Sequence, residues 1–165
     1  MTDTFKDNSL SEFVIGTVTS KMTKQEDALN LAYSGGLFDG EGSIFIGKVK
    51  TDRNKSGLLF RLHIEMCNTN EVAVRQMQLY FGGSVYERYA DIDTRRTLWA
   101  WHLRGQKALG FLRIILPYLR IKKPQAELAI EYQARQKLGR YTKTHTNVLD
   151  EADSVLMSKM NRGLV

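Results

Sequence analysis

The hydrophobic pattern of this chain changes period several times, and the order of the changes limits the folds open to it. Ala28, Leu29, Leu31, Ala32, Gly35 and Gly36 recur at helical spacing, and Thr23 with Glu26 makes a capping box before them. A first helix is therefore predicted over about 24–38, ended by the permissive backbone of Gly40 and Gly42. SIFIGKVK (43–50) and LLFRLHIEM (58–66) then read as strands joined by the polar loop TDRNKSG. Residues 69–81 return to helical period and stop at Gly82-Gly83, and SVYERYA (84–90) and TLWAWHL (97–103) supply two further strands. Leu109 to Leu119 reads as a helix broken near Pro117, and Pro124 opens another that reaches about 138. The basic loop GRYTKTHTN separates it from a last helix, predicted from about Asp150 to Asn161.

The order α-β-β-α-β-β-α predicts an α+β fold, a four-stranded antiparallel sheet with helices on one face. At 165 residues it is expected as one domain, 23–165, behind an N-terminal extension, 1–22, that lacks the features of a signal peptide. In the second strand Phe60, Leu62, Ile64 and Met66 alternate with Leu59, Arg61, His63 and Glu65, so one face is core and the other largely polar. In the first strand Ile44 and Ile46 alternate with Phe45 and Gly47, and alternation alone leaves its facing open. Trp99 and Trp101 share a face, read as core.

The net charge is +6, and it is unevenly spread. Residues 1–42 hold three Lys/Arg against seven Asp/Glu, whereas 43–104 hold ten against six and 105–165 eleven against five. A basic body suits a polyanionic partner, because cations that neutralise phosphates release counterions. No run approaches the roughly 20 apolar residues of a membrane span. Cys67 is the only cysteine, which excludes a disulfide framework within the chain and fits a reducing, intracellular setting. His63, His102 and His145 lack the spacing of a zinc or histidine-nuclease cluster.

The stretch GGLFDGEGS, residues 35–43, places Asp39 and Glu41 where the first helix ends. Carboxylates are disfavoured at the negative end of a helix dipole, so something there must reward them. ALNLAYSGGLFDGEGSI resembles the LAGLIDADG motif of homing endonucleases, and LPYLRIKKPQAELAIEY (116–132) resembles the segment carrying that family's active-site lysine. Glu41 stands where Asp is commoner, and either carboxylate binds a hard cation. With the element order, the resemblance covers about residues 24–138.

The resemblance implies a site-specific endonuclease that hydrolyses both strands of double-stranded DNA across the minor groove. Glu41 and the Gly40 carbonyl would hold Mg2+ (or Mn2+), and Lys122 would stabilise transition-state charge, with neighbouring Lys123 the alternative if the alignment slips by one. Asn68 is the expected water-ordering residue, in a register left open with Met66 and Cys67. One motif copy implies a homodimer on a long, pseudo-palindromic target, its first helices packed through Ala32, Gly35 and Gly36. The sheet would enter the major groove, with Arg61, His63, Glu65, Tyr86 and Arg88 as base readers. Arg53, Lys55, Arg95 and Arg96 in the hairpin loops would meet phosphates, and Lys48 and Lys50 are assigned to DNA by charge alone. The alternative is a non-cleaving DNA- or RNA-binding protein on the same scaffold, an intron maturase or regulator.

Overall fold

Four strands pair antiparallel in the order β1-β2-β4-β3, where β1 is Gly42–Lys50, β2 Leu58–Asn68, β3 Ser84–Arg88 and β4 Leu98–Arg104. The computed structural model describes residues 24–51, 58–88, 97–138 and 146–165. Helices α1 (Lys24–Glu41), α2 (Glu71–Phe81), α3 (Gly105–Ile115), α4 (Lys123–Leu138) and α5 (Thr146–Asn161) complete it, with a 3-10 turn at Leu116–Tyr118. The expected extension 1–22 and the loop residues Arg53, Lys55, Arg95 and Arg96 lie outside the described residues.

The strand register stacks the apolar positions on one side. Ile44 pairs with Ile64, and Met66 and Val85 both pair with Trp101. Against this face pack Phe38 of α1, Val74 and Met77 of α2, Phe111, Leu112 and Ile115 of α3, Ala126, Ala129 and Tyr132 of α4, and Met157 of α5. Trp101 is fully buried and its indole N–H donates to the Gly82 carbonyl at 2.7 Å, so its polar end is satisfied inside the core. The first strand's facing is settled by the same layer: Ile44 and Ile46 are buried and Phe45 is exposed.

Several boundaries differ from the sequence expectation. The first helix continues to Glu41, so both acids belong to its last turn. Neither Gly40 nor Gly42 has a positive φ, and left-handed backbone is not what those glycines supply. Gly42 answers to space, since a Cβ there would lie 2.5 Å from the Phe38 ring and from the Phe38 carbonyl oxygen. α3 begins at Gly105, directly after β4, because its first turn is polar and hid the start from a hydrophobic-period search. α5 begins at Thr146.

As the last element, α5 protects the sheet. β1 is an edge strand, whose outer carbonyls would otherwise invite pairing with another chain. The Ser154 hydroxyl donates to the Ile46 carbonyl at 2.6 Å and the Asn161 amide to the Ile44 carbonyl at 2.8 Å. Lys48 pairs with Glu151 of the same helix at 3.1 Å.

α1 and α4 are joined by Asp39. Its buried carboxylate accepts the backbone N–H groups of Arg120 (2.9 Å), Ile121 (2.8 Å) and Lys122 (2.7 Å). In return the Lys122 ammonium donates to the Asp39 carbonyl. An anion thus meets the positive start of α4 and a cation the negative end of α1, and both helix dipoles are complemented at one joint.

Two predictions follow from these contacts. Gly35 faces Tyr118, whose Cβ would lie 2.5 Å from an added Cβ, whereas Gly36 has open space. Gly35→Ala should lower the unfolding free energy by about 1–3 kcal/mol, and Gly36→Ala should leave it unchanged or raise it by about 0.5–1 kcal/mol, read by urea unfolding of dilute protein. The pKa of Asp39 lies below its ordinary 3.8, because three N–H donors and the Lys122 charge outweigh burial, which by itself would raise it. Its stabilisation is complete above the ordinary value and is lost as pH falls through the lower folded value. Asp39→Asn should cost about 1–3 kcal/mol at neutral pH and flatten the loss of stability below about pH 4, measured by thermal unfolding across the acid range.

Candidate active site and nucleic-acid interface

The Asp39 joint determines what each residue of the last turn of α1 is free to do. Asp39 has its carboxylate oxygens occupied by three backbone donors, whereas Glu41, two residues on, is exposed. Lys122 is the lysine brought to this turn, through its ammonium on the Asp39 carbonyl, and Lys123 is the exposed first residue of α4. An exposed carboxylate and a fixed cation thereby share one helix end.

An α-helix leaves its last four carbonyls without intrahelical partners, and in α1 these include that of the exposed Gly40. Among the described residues no group of three or more His, Cys, Asp and Glu is arranged to hold a metal ion. At this helix end the exposed Glu41 carboxylate and the Gly40 carbonyl are the two oxygen donors available to a hard cation. That set fits magnesium, which keeps several waters and takes one or two protein carboxylates together with substrate oxygens.

Asn68, the residue expected to order water, closes β2 at the entry to α2. It pairs with Trp99 and so lies on the helix-facing side of the sheet. Its Oδ1 accepts the Asn70 N–H at 2.8 Å, and Asn70 in turn caps α2 through the Ala73 N–H. These bonds form the turn connecting β2 to α2.

Along α1, Leu29, Ala32, Tyr33, Gly36 and Gly40 are exposed at helical spacing, with Leu29 at 64% and Tyr33 at 54% of full exposure. Gly35 departs from the expected interface set. It is buried within the chain against Tyr118, and Ala32 and Gly36 remain as the small residues of the exposed face.

The face of the sheet opposite the helices carries Arg61, His63, Glu65 and Cys67 of β2, Tyr86 and Arg88 of β3, and His102 and Arg104 of β4. His102 and Arg104 were absent from the sequence assignment, although Trp99, Trp101 and Leu103 turned inward require their neighbours to turn outward. Lys48 shares the side of Ile44 and Ile46, pairs with Glu151 and lies over the Phe60 ring at 5.8 Å. Lys50 follows the same alternation. The outward positions of β1 are instead Phe45, Gly47 and Val49, so this strand contributes no charge to the open face.

Rings cross the face from strand to strand: Phe45 to His63 (6.0 Å), His63 to His102 (5.7 Å) and His102 to Tyr86 (5.3 Å). Burial, then the Arg104 charge, lowers the pKa of both histidines, with Glu65 opposing. Both are neutral near pH 7. Burial followed by the hydrogen bond to Glu65 pushes Tyr86 up to about 12. Glu65 itself is lowered, because hydrogen bonds from Tyr86 and Cys67 and the Arg88 charge outweigh its burial. No described helix is long and apolar enough to cross a membrane.

Residues 35–137 match the LAGLIDADG endonuclease family. Among curated proteins no sequence matches this one. Among solved structures the chain is similar to the homing endonuclease I-CvuI in complex with the I-CreI target, with a TM-score of 0.70 at 18% identity over 81% of this chain and 83% of that one. It is also similar to the archaeal intron-encoded homing endonuclease I-Vdi141I complexed with DNA, with a TM-score of 0.69 at 15% identity over 84% and 94%. The group I intron-encoded homing endonuclease I-CeuI complexed with DNA gives 0.58 at 11% identity over 90% and 70%. At these identities the likeness is one of fold, and it agrees with the sequence match in the motif and the sheet: the chain belongs to the LAGLIDADG endonuclease family.

Proposed function

We propose that this chain is a site-specific double-strand DNA endonuclease that acts as a homodimer with a divalent metal. The observation that carries the reading is the division of labour in the last turn of α1. Asp39 is consumed by the joint to α4, Glu41 is left exposed, and Lys122 is held on the same turn. A bound divalent cation supplies charge neutralisation on the phosphate and activation of water.

Glu41 offers the cation a hard anionic ligand, and the Gly40 carbonyl offers a neutral one beside it. Lys122, a compact cation, faces the charge that builds on the phosphate oxygens during hydrolysis. Its ammonium is already oriented by the Asp39 carbonyl, so little reorganisation is needed when substrate arrives. Cutting two strands needs two such sites, and one chain carries one. The exposed stripe of Leu29, Ala32, Tyr33, Gly36 and Gly40 is suited to a two-fold contact in which α1 meets its copy, with close backbone approach at the small residues and apolar area from Leu29 and Tyr33. Such a contact brings two Glu41 carboxylates to the axis, where like charges call for a cation between them.

The open face of the sheet is suited to a major groove, with Arg61, His63, Tyr86, Arg88 and Arg104 among its side chains. Lys48 and Lys50, on the other side, are left out of the contact. The target is double-stranded DNA with the approximate two-fold symmetry of the dimer.

Duplexes enriched from a randomised pool, cloned into plasmid, provide the test. With Mg2+ or Mn2+ the wild type should cut both strands, and a chelator should stop it. Glu41→Gln should reduce cutting by more than about 100-fold with binding retained, and Lys122→Ala by roughly 10- to 1000-fold. The mass of the protein–duplex complex should correspond to two chains. Persistent cutting by Glu41→Gln overturns the site, one chain per duplex overturns the dimer, and binding without cutting returns the non-cleaving alternative.

A further inference from the structure

A carboxylate on a face meant for a polyanion is a liability, yet Glu65 sits near the middle of the open face, on the central strand β2. Its side chain is only 13% exposed. It is also surrounded by donors. The Tyr86 hydroxyl donates to Oε2 at 2.7 Å, and Arg88 Nη1 and the Cys67 thiol donate to Oε1 at 3.0 Å and 3.4 Å. The same Nη1 reaches the Cys67 sulfur at 3.7 Å.

Tyr86 and Arg88 belong to the edge strand β3, and β4 runs between them and Glu65. Their side chains cross β4 where it is thinnest. Ala100 pairs with both Cys67 and Tyr86, points to the open face by that register, and is nonetheless fully buried. A larger residue there would block the crossing. His102, one step along on the same face, sets its ring 5.3 Å from that of Tyr86, tilted by 58°, and flanks the crossing on the other side.

With both oxygens engaged by donors and only 13% of its side chain exposed, Glu65 is better placed to hold its neighbours than to reach a base itself. Both Arg88 contacts use Nη1, and the Arg88 side chain stays 51% exposed. The other edge of the guanidinium, Nε and Nη2, is a two-donor fork of the kind that matches the O6 and N7 acceptors of guanine. An arginine held by a half-buried carboxylate loses less conformational freedom on binding than a free one, and this favours discrimination.

We infer that Glu65 is a positioning residue that fixes Tyr86 and Arg88, across Ala100, as one rigid reading unit selecting a guanine in the major groove. The inference rests on the DNA-binding reading above and adds to it the base chemistry of one half-site position. Glu65 acts through Arg88, so the two residues govern the same base pair.

The test is selection from a randomised duplex pool in calcium buffer, with the folding of each variant checked by thermal unfolding. The wild type should enrich a motif with guanine at the Arg88 position. Arg88→Ala should lower that preference about tenfold, Glu65→Ala should lower it at the same position, and the double variant should lose no more than Arg88→Ala alone. Should Glu65→Ala fail to fold, Glu65→Gln and Tyr86→Phe replace it, and both should weaken the same preference.

An unchanged guanine preference in a folded Glu65 variant overturns the inference. Loss of a cytosine preference at a different position overturns it as well, because Glu65 would then be reading a base directly. If the wild type enriches no motif, the DNA-binding reading fails together with it; if it does and only the Glu65 variants disagree, that reading stands.

Discussion

The carboxylate of Asp39 is the constraint on which the candidate site depends. It is buried at the end of one helix and receives three backbone N–H groups from the segment leading into another. A buried carboxylate with fewer donors would be costly, and backbone donors with no acceptor would be too. The two needs cancel only when α1 and α4 meet in this one geometry. Lys122 then lands on the last turn of α1 as a by-product of chain direction, and Glu41 is the acid left over for solvent, cation or substrate.

The same economy governs the two faces of the sheet. Inward positions are filled by large apolar side chains in register, from Ile44 and Ile64 to Trp101 and Val85. Outward positions hold charge, but the charge is organised: Glu65 is paired, the two central histidines are neutral, and the exposed arginines Arg61, Arg88 and Arg104 are distributed over three strands. α5 contributes from outside the family-matched region by covering the carbonyls of the β1 edge, which leaves the open face as the sheet's free surface.

Much of this was legible in the chain itself. The alternation of Phe60, Leu62, Ile64 and Met66 with Arg61, His63 and Glu65 is a period of two that only a half-buried strand satisfies, and the structure has that facing. The order of strands and helices likewise led to one antiparallel sheet with helices on one side. The position of Glu41 at a helix end was readable because glycines and acids cluster there.

Other features were decided by tertiary contact. Gly35 and Gly36 are indistinguishable as neighbours in sequence, yet one lies against Tyr118, more than eighty residues away, and the other faces open space. Lys48 was assigned by charge, but the pairing of β1 with β2 and the docking of α5 turn it toward Glu151. The sequence by itself determined periodicity, and hence which elements form and which faces are apolar, because those depend on residues a few positions apart. The partners of Asp39, Glu65 and Gly35 come from distant segments, and only the packed chain could choose them.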